Sequence, residues 1–378
     1  MPEASDAETR DARANAAVEQ ALRHAAGDAG VLSVDRFMEI ALYEPGVGYY
    51  ERRPGPLGAD GDFYTAAHTS PLFGRTIARR LSAEWQALGS PTTFAIAELG
   101  SGDGRLAQTL IEEAGRLGDF GTAVRYVLVE RSRSLAERAL ERLRPLTSHL
   151  RWVPRLSELG PFSGAVVANE FFDALPCRRF ESDGTDWREI GVRWSSVGWT
   201  FAPLAAGRTL GGPPLPRPGP AGTVIEWPTT AFGVVRAIAD HLTRGVALVF
   251  DYGASEDEIG QRYPRGTLVA VRNHRAIPNI LDQPGAQDLS AWVNFTRLNE
   301  YAEAAGLSVV SDDRQSEALG AWGGAEVLGE IVRDADAVEA VRARLAAKNL
   351  LFGFSNFRAV VWRAGPARAR SSSGPAPG

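Results

Sequence analysis

The segment Ala97-Glu98-Leu99-Gly100-Ser101-Gly102-Asp103-Gly104 sets glycines at alternate positions behind an acid, between an apolar run and an amphipathic one. Glycines at a strand-to-helix junction let the backbone turn tightly. They also let a ligand approach main-chain N–H groups at the positive end of a helix dipole. A dinucleotide fingerprint would carry its last glycine one position later, where Arg105 stands. A tight turn with no ligand is the competing reading. Glu130 closes the next apolar run, Tyr126-Val127-Leu128-Val129. A carboxylate there can accept both hydroxyls of a ribose in two charge-assisted hydrogen bonds, or it can simply be a solvated strand end. A third cluster, Ala168-Asn169-Glu170-Phe171-Phe172-Asp173-Ala174-Leu175-Pro176, follows another apolar run. In doubly wound sheets ligands lie outside the carboxyl ends of the strands, so Asn169, Glu170 and Asp173 are candidates to face a second reactant. Capping of a helix N-terminus is their alternative role.

Holding these residues together requires strands that end on one side of one sheet. Strands are predicted at 94–99, 125–130, 150–153 and 165–169, with helices over 105–117 and 134–143. That alternation predicts a parallel sheet with right-handed crossovers, an α/β fold. Before it, 34–43 has apolar residues at helical spacing. Turn-rich EPGVGYY and RRPGPLGADGDFY follow, and then an amphipathic stretch over 70–88. After it, 187–201 reads as a hairpin and 207–222 as a loop dense in proline and glycine. The pattern then resumes with a helix over 229–242, a strand at 246–250, a helix over 297–305 and strands at 307–310 and 357–362. The expected organisation is a disordered tail (1–14), a helical N-terminal segment (15–90) and an α/β half (91–182). An inserted hairpin and loop (183–228), the second α/β half (229–363) and a disordered tail (364–378) complete it.

Composition narrows the function classes. A net charge of -5 gives no electrostatic reason to expect a nucleic-acid partner. A single cysteine, Cys177, excludes an internal disulfide and any multi-cysteine metal site, and no metal is expected. The first residues are acidic and polar, unlike a secretory or Arg-rich transit signal, and no run approaches the roughly 20 apolar residues of a membrane helix. A soluble, cytoplasmic protein is the resulting expectation.

The G-x-G-x-G spacing behind an acid resembles motif I of class I methyltransferases dependent on S-adenosyl-L-methionine (SAM). ANEFFDALP, taken with GDFYTA (61–66), SPLFG (70–74) and AELGSGDGRL (97–106), resembles the MidA-type methyltransferases. The mitochondrial members of that family are complex I assembly factors acting as protein arginine methyltransferases. DYG (251–253), RGTL (265–268), NHR (273–275) and QDLSAWVNF (287–295) extend the resemblance, which spans about 35–310. It implies a doubly wound, mostly parallel seven-stranded sheet with a helical N-terminal segment and an inserted lid. It also implies SAM as cofactor and a protein or peptide as partner. Carried over by motif, Asp62, Tyr64 and Thr65 lie on a loop closing over SAM. Glu98, Gly100, Gly102 and Gly104 meet its amino-acid end, and Glu130 meets its ribose. Asn169, Glu170 and Asp173 border the methyl acceptor as catalytic candidates.

A guanidinium acceptor is always protonated in water, so carboxylates must orient it and stabilise charge as its proton leaves. Glu170 and Asp173 suit that task. His68 and His274 are further base candidates or structural residues. The family commonly has a histidine where this chain has Trp292, which keeps a small molecule or natural-product peptide open as acceptor. A non-catalytic SAM-binding assembly factor and, for the fold alone, an NAD-dependent dehydrogenase are the remaining alternatives. Trp227, Trp292 and Trp322 are expected to pack.

Overall fold

The apolar runs pair side by side into one sheet in the computed structural model, which describes residues 6–51, 70–205, 209–210, 212–272, 275–353 and 356–365. Its strands are β1 (Phe94–Leu99), β2 (Val124–Val129), β3 (Leu150–Val153), β4 (Phe162–Asn169), β5 (Leu242–Ala254), β6 (Leu307–Arg314) and β7 (Phe357–Ala364). They lie in the order β3-β2-β1-β4-β5-β7-β6. Pairing from β3 through β5 is parallel, and β7 runs antiparallel to both its neighbours. A short strand, Val293–Asn294, joins the far end of β5. The mostly parallel, seven-stranded expectation holds.

Near-continuous apolar runs are needed because both faces of the sheet are covered. Phe94, Ile96, Leu128, Val167, Leu248 and Val361 face one cluster, and the residues between them, such as Ala97, Val127, Val166, Val249 and Val360, face the other. The helices include α1 (Asp6–Ala26), α2 (Val34–Tyr43), α3 (Pro71–Ala87), α4 (Arg105–Arg116), α5 (Arg133–Leu143), α6 (Thr229–His241) and α7 (Phe295–Ala304). Apolar residues of α3, α4 and α5 pack on the first face, and those of α6 and α7 on the second. The start of α3 is written in SPLFG: Ser70 Oγ accepts the N–H of Leu72, and proline occupies the first turn.

Three sequence expectations need correction. Helix α1 begins at Asp6, inside the stretch expected to be a tail. Its alanine-rich sequence favours helix, and Val18 and Leu22 bury one narrow stripe. The N-terminal segment is not purely helical, since Val31–Ser33 forms a strand that pairs antiparallel with Gly191–Arg193. The hairpin is present as Trp187–Ser195 with Gly198–Pro203, but it belongs to a second sheet with Arg178–Ser182 and Val224–Trp227. A small third sheet, Val269–Arg272, Arg275–Ile277 and Asp288–Ser290, was also not foreseen. Nor were the helices Gln315–Ala321, Gly324–Asp334 and Ala337–Lys348 between β6 and β7. Helices α1 and α2 share a third apolar cluster with Val192, Trp199, Leu268 and Leu289, which binds the N-terminal segment to both small sheets. Among the described residues no helix is long and apolar enough to cross a membrane.

Candidate active site

The strand order reverses between β1 and β4, and two of the chemistry-bearing segments leave the sheet there. Gly100, Gly102 and Gly104 take φ values of 65°, 54° and 81°, in the left-handed region that glycine enters without a Cβ penalty. A Cβ on Gly100 would lie 2.7 Å from Cδ2 of Phe171, so the glycine loop touches the turn after β4. A Cβ on Gly104 would lie 2.9 Å from that of Ala139 in α5, so this glycine also serves helix packing. The loop is tied to the next strand end: Gly100 N–H donates to Val129 O at 2.8 Å, and Gly102 N–H to Glu130 Oε2 at 2.9 Å.

Glu130 also accepts the N–H of Ser132 on Oε1 at 2.8 Å. Burial pushes its pKa up to about 7, while these backbone donors pull the other way. Two carboxylate oxygens offer about four lone-pair sites, so capacity remains for ribose hydroxyls. Glu98 is differently placed. Its Oε2 accepts the Tyr126 hydroxyl at 2.7 Å, and burial pushes its pKa up to about 8. Asp103 is buried between Arg105 and Arg142 at 3.1 and 3.2 Å.

The turn after β4 is backbone-strained. Glu170 has φ 48°, uncommon for a residue with a side chain, and its N–H donates to Phe250 O at 2.8 Å. The N–H groups of Phe171, Phe172 and Asp173 then converge on Asp251 Oδ2 at 3.1, 2.8 and 3.3 Å. Asn169 Oδ1 and Asp173 Oδ1 are buried without a hydrogen-bond partner among the described residues. Buried orphan acceptors beside a glycine loop are what a ligand-facing turn would carry. Burial pushes the Asp173 pKa up to about 6, with the Tyr252 hydroxyl favouring its charged form.

Sequence reasoning missed several residues here. Tyr43, at the end of α2, donates its hydroxyl to Ala174 O at 3.0 Å and stacks on Tyr50 with ring centroids 5.5 Å apart. Tyr50 in turn donates to Asp288 Oδ1 at 2.6 Å. Arg131 lies over the Tyr43 ring, 4.8 Å from its centroid, and pairs with Glu39. The Tyr252 and Ser290 hydroxyls are hydrogen-bonded at 2.5 Å, and Ala291 N–H donates to Asp173 O at 2.9 Å. The tyrosine pair closing EPGVGYY and the DYG after a strand were the available signals. Trp227 is buried against Phe232, and Trp322 packs edge-on to Phe250. Trp292 is only half-buried, 4.6 Å from the Tyr263 ring, and lines a cleft with Asp173, Glu226 and Asn294. Cys177 is a buried packing residue beside Met38. Asp62, Tyr64, Thr65, His68 and His274 lie outside the described residues.

This strand order, with a glycine loop after β1 and an acid after β2, defines a class I SAM-dependent methyltransferase fold. The chain belongs to the family of S-adenosyl-L-methionine-dependent methyltransferases whose model matches residues 76–311. A crystal structure from Burkholderia thailandensis with S-adenosyl-homocysteine bound is 29% identical, with a TM-score of 0.82, covering 96% of this chain and 95% of that one. A second Burkholderia thailandensis structure is 30% identical, with a TM-score of 0.80 and the same coverage. A Drosophila melanogaster protein named protein arginine methyltransferase NDUFAF7 homolog, mitochondrial, is 28% identical over 73% of this chain and 68% of its own length. The Bos taurus protein named protein arginine methyltransferase NDUFAF7, mitochondrial, is 28% identical over 76% of this chain and 69% of its own. The chain is a SAM-dependent methyltransferase. The cytoplasmic expectation is corrected by these relatives, which are named as mitochondrial; it had rested only on the lack of a recognisable signal.

Proposed function

We propose that this methyltransferase acts on a protein or peptide and that the acceptor is an arginine nitrogen. The observation that carries the proposal is the contact of Phe171 with Gly100, which brings the turn that carries Glu170 and Asp173 up to the glycine loop. The names of the curated relatives support the acceptor class. In this reading the loop glycines and Glu98 hold the amino-acid end of SAM and Glu130 holds the ribose. Asp62, Tyr64 and Thr65 of GDFYTA are the remaining cofactor candidates.

SAM supplies a methyl group on a sulfonium, ready for in-line displacement, so positioning the nucleophile does much of the catalysis. Asn169, Glu170 and Asp173 orient the guanidinium. One of the two carboxylates takes up its proton as the new C–N bond forms.

Incubation with methyl-labelled SAM and cell lysate, followed by mass spectrometry, tests the proposal. Label recovered as methylarginine in protein supports it, and label on other residues overturns the arginine assignment. Label only in small molecules would favour a second reading, motivated by Trp292 at the wall of the Asp173 cleft.

A further inference from the structure

Strand β5 outruns its neighbour β4. Their pairing ends at Phe250 opposite Asn169, and Asp251 is the first residue beyond it. The Asp251 side chain is fully buried under the turn that follows β4. Its Oδ2 gathers the N–H groups of Phe171, Phe172 and Asp173, and its Oδ1 accepts the N–H of Tyr252 at 2.9 Å. Successive N–H groups after a left-handed residue form a concave nest for an anion, and here the chain supplies the occupant itself. The left-handed Glu170 opens that nest. Such strain persists only where surrounding bonds over-determine it. Asp251 supplies most of those bonds.

We propose that Asp251 is a positioning residue for methyl transfer: it holds the Glu170–Asp173 turn in the strained conformation that aims both carboxylates at the acceptor. This rests on the reading that the turn borders the acceptor. Asp251 touches neither reactant and acts through the backbone of the turn. Burial holds its carboxyl well above the ordinary range, with Asp173 and Glu170 pushing the same way. A carboxyl oxygen accepts the converging N–H groups in either protonation state, so the grip does not depend on that titration.

The test uses the full chain, Asp251→Ala and Asp251→Asn. The asparagine variant keeps the volume and an acceptor oxygen for the three N–H groups, at the cost of the single bond from Tyr252 N–H, so it keeps the turn where the alanine variant does not. Transfer is followed with labelled SAM and lysate protein, and amide hydrogen exchange is read over 171–173. Asp251→Ala is expected to slow kcat at least about 100-fold, as misplaced groups do, with asparagine restoring most of the loss. The KM for SAM should stay within about threefold in both variants. Exchange at 171–173 should quicken by about tenfold or more in the alanine variant only. Amides as protected as in the unaltered chain would overturn the role of Asp251 itself. Quickened exchange with undiminished transfer would overturn the placement of the turn at the acceptor. A KM for SAM that rises in step with lost transfer would reduce Asp251 to a general structural residue and sink the proposal.

Discussion

The main-chain N–H of Gly102 donates to Oε2 of Glu130 at 2.9 Å, which locks the loop after β1 to the acid after β2. The other oxygen of Glu130 takes a second main-chain donor, Ser132 N–H. One oxygen therefore organises the glycine loop and the other the turn after β2 before any ligand arrives.

Glu130→Ala should weaken SAM binding roughly 100-fold, the value of two charge-assisted hydrogen bonds less solvent compensation. Glu130→Gln should be nearly as damaging, because an amide NH₂ must confront either Gly102 or Ser132, both donors. Calorimetric titration of SAM checks this, and a glutamine variant binding like the unaltered chain would contradict it.

Glu170→Gly should separate stability from activity. Glycine enters the left-handed region freely, so relieving the strain should raise stability by up to about 1 kcal/mol after its unfolded-state entropy is offset. Methyl transfer should fall at least about tenfold, the lower range for a positioned acid–base group. Urea unfolding and labelled-SAM turnover report the two effects independently.

Transfer should fall on acidification through about pH 6, where burial has pushed the Asp173 carboxyl. The sign follows from its role: a protonated carboxyl can neither attract a guanidinium nor accept its proton. Asp173→Asn should lower the plateau and remove this limb from the pH profile. A profile unchanged by the substitution would release Asp173 from the reaction.

Glu98 predicts a pH dependence of stability. Its folded pKa is raised to about 8 from the ordinary 4.5, so the folded state binds the extra proton between those values. The stability contribution is full below about 4.5 and is lost as pH rises through about 8. The slope is at most about 1.4 kcal/mol per pH unit. Glu98→Gln should flatten it, with urea midpoints at pH 6 and 9 as the measurement.

Much of the sheet was legible because buried parallel strands read as short apolar runs, and β1, β2 and β3 fell within a residue of their expected bounds. The glycine loop, Glu130 and the Asn169–Asp173 turn were legible because their spacing follows the strand ends. Strands such as Val31–Ser33 and Asp288–Ser290 were not, since three residues carry no periodicity and their partners lie far along the chain. Tyr43, Tyr50 and Asp251 escaped notice for a related reason. Each reaches the site through a tertiary contact with a segment distant in sequence, so the local tyrosine pair and DYG could mark the residues but not their partners.

Strand β7 sits between β5 and β6 and pairs with both. During synthesis the sheet therefore carries an open slot until residues 357–364 have left the ribosome. Until then two strand edges stand unpaired, that of β5 strongly apolar, the kind of surface chaperones recognise. Nascent chains halted before residue 357 should depend on holdase protection, and release of residues 357–364 should close the slot in a single step.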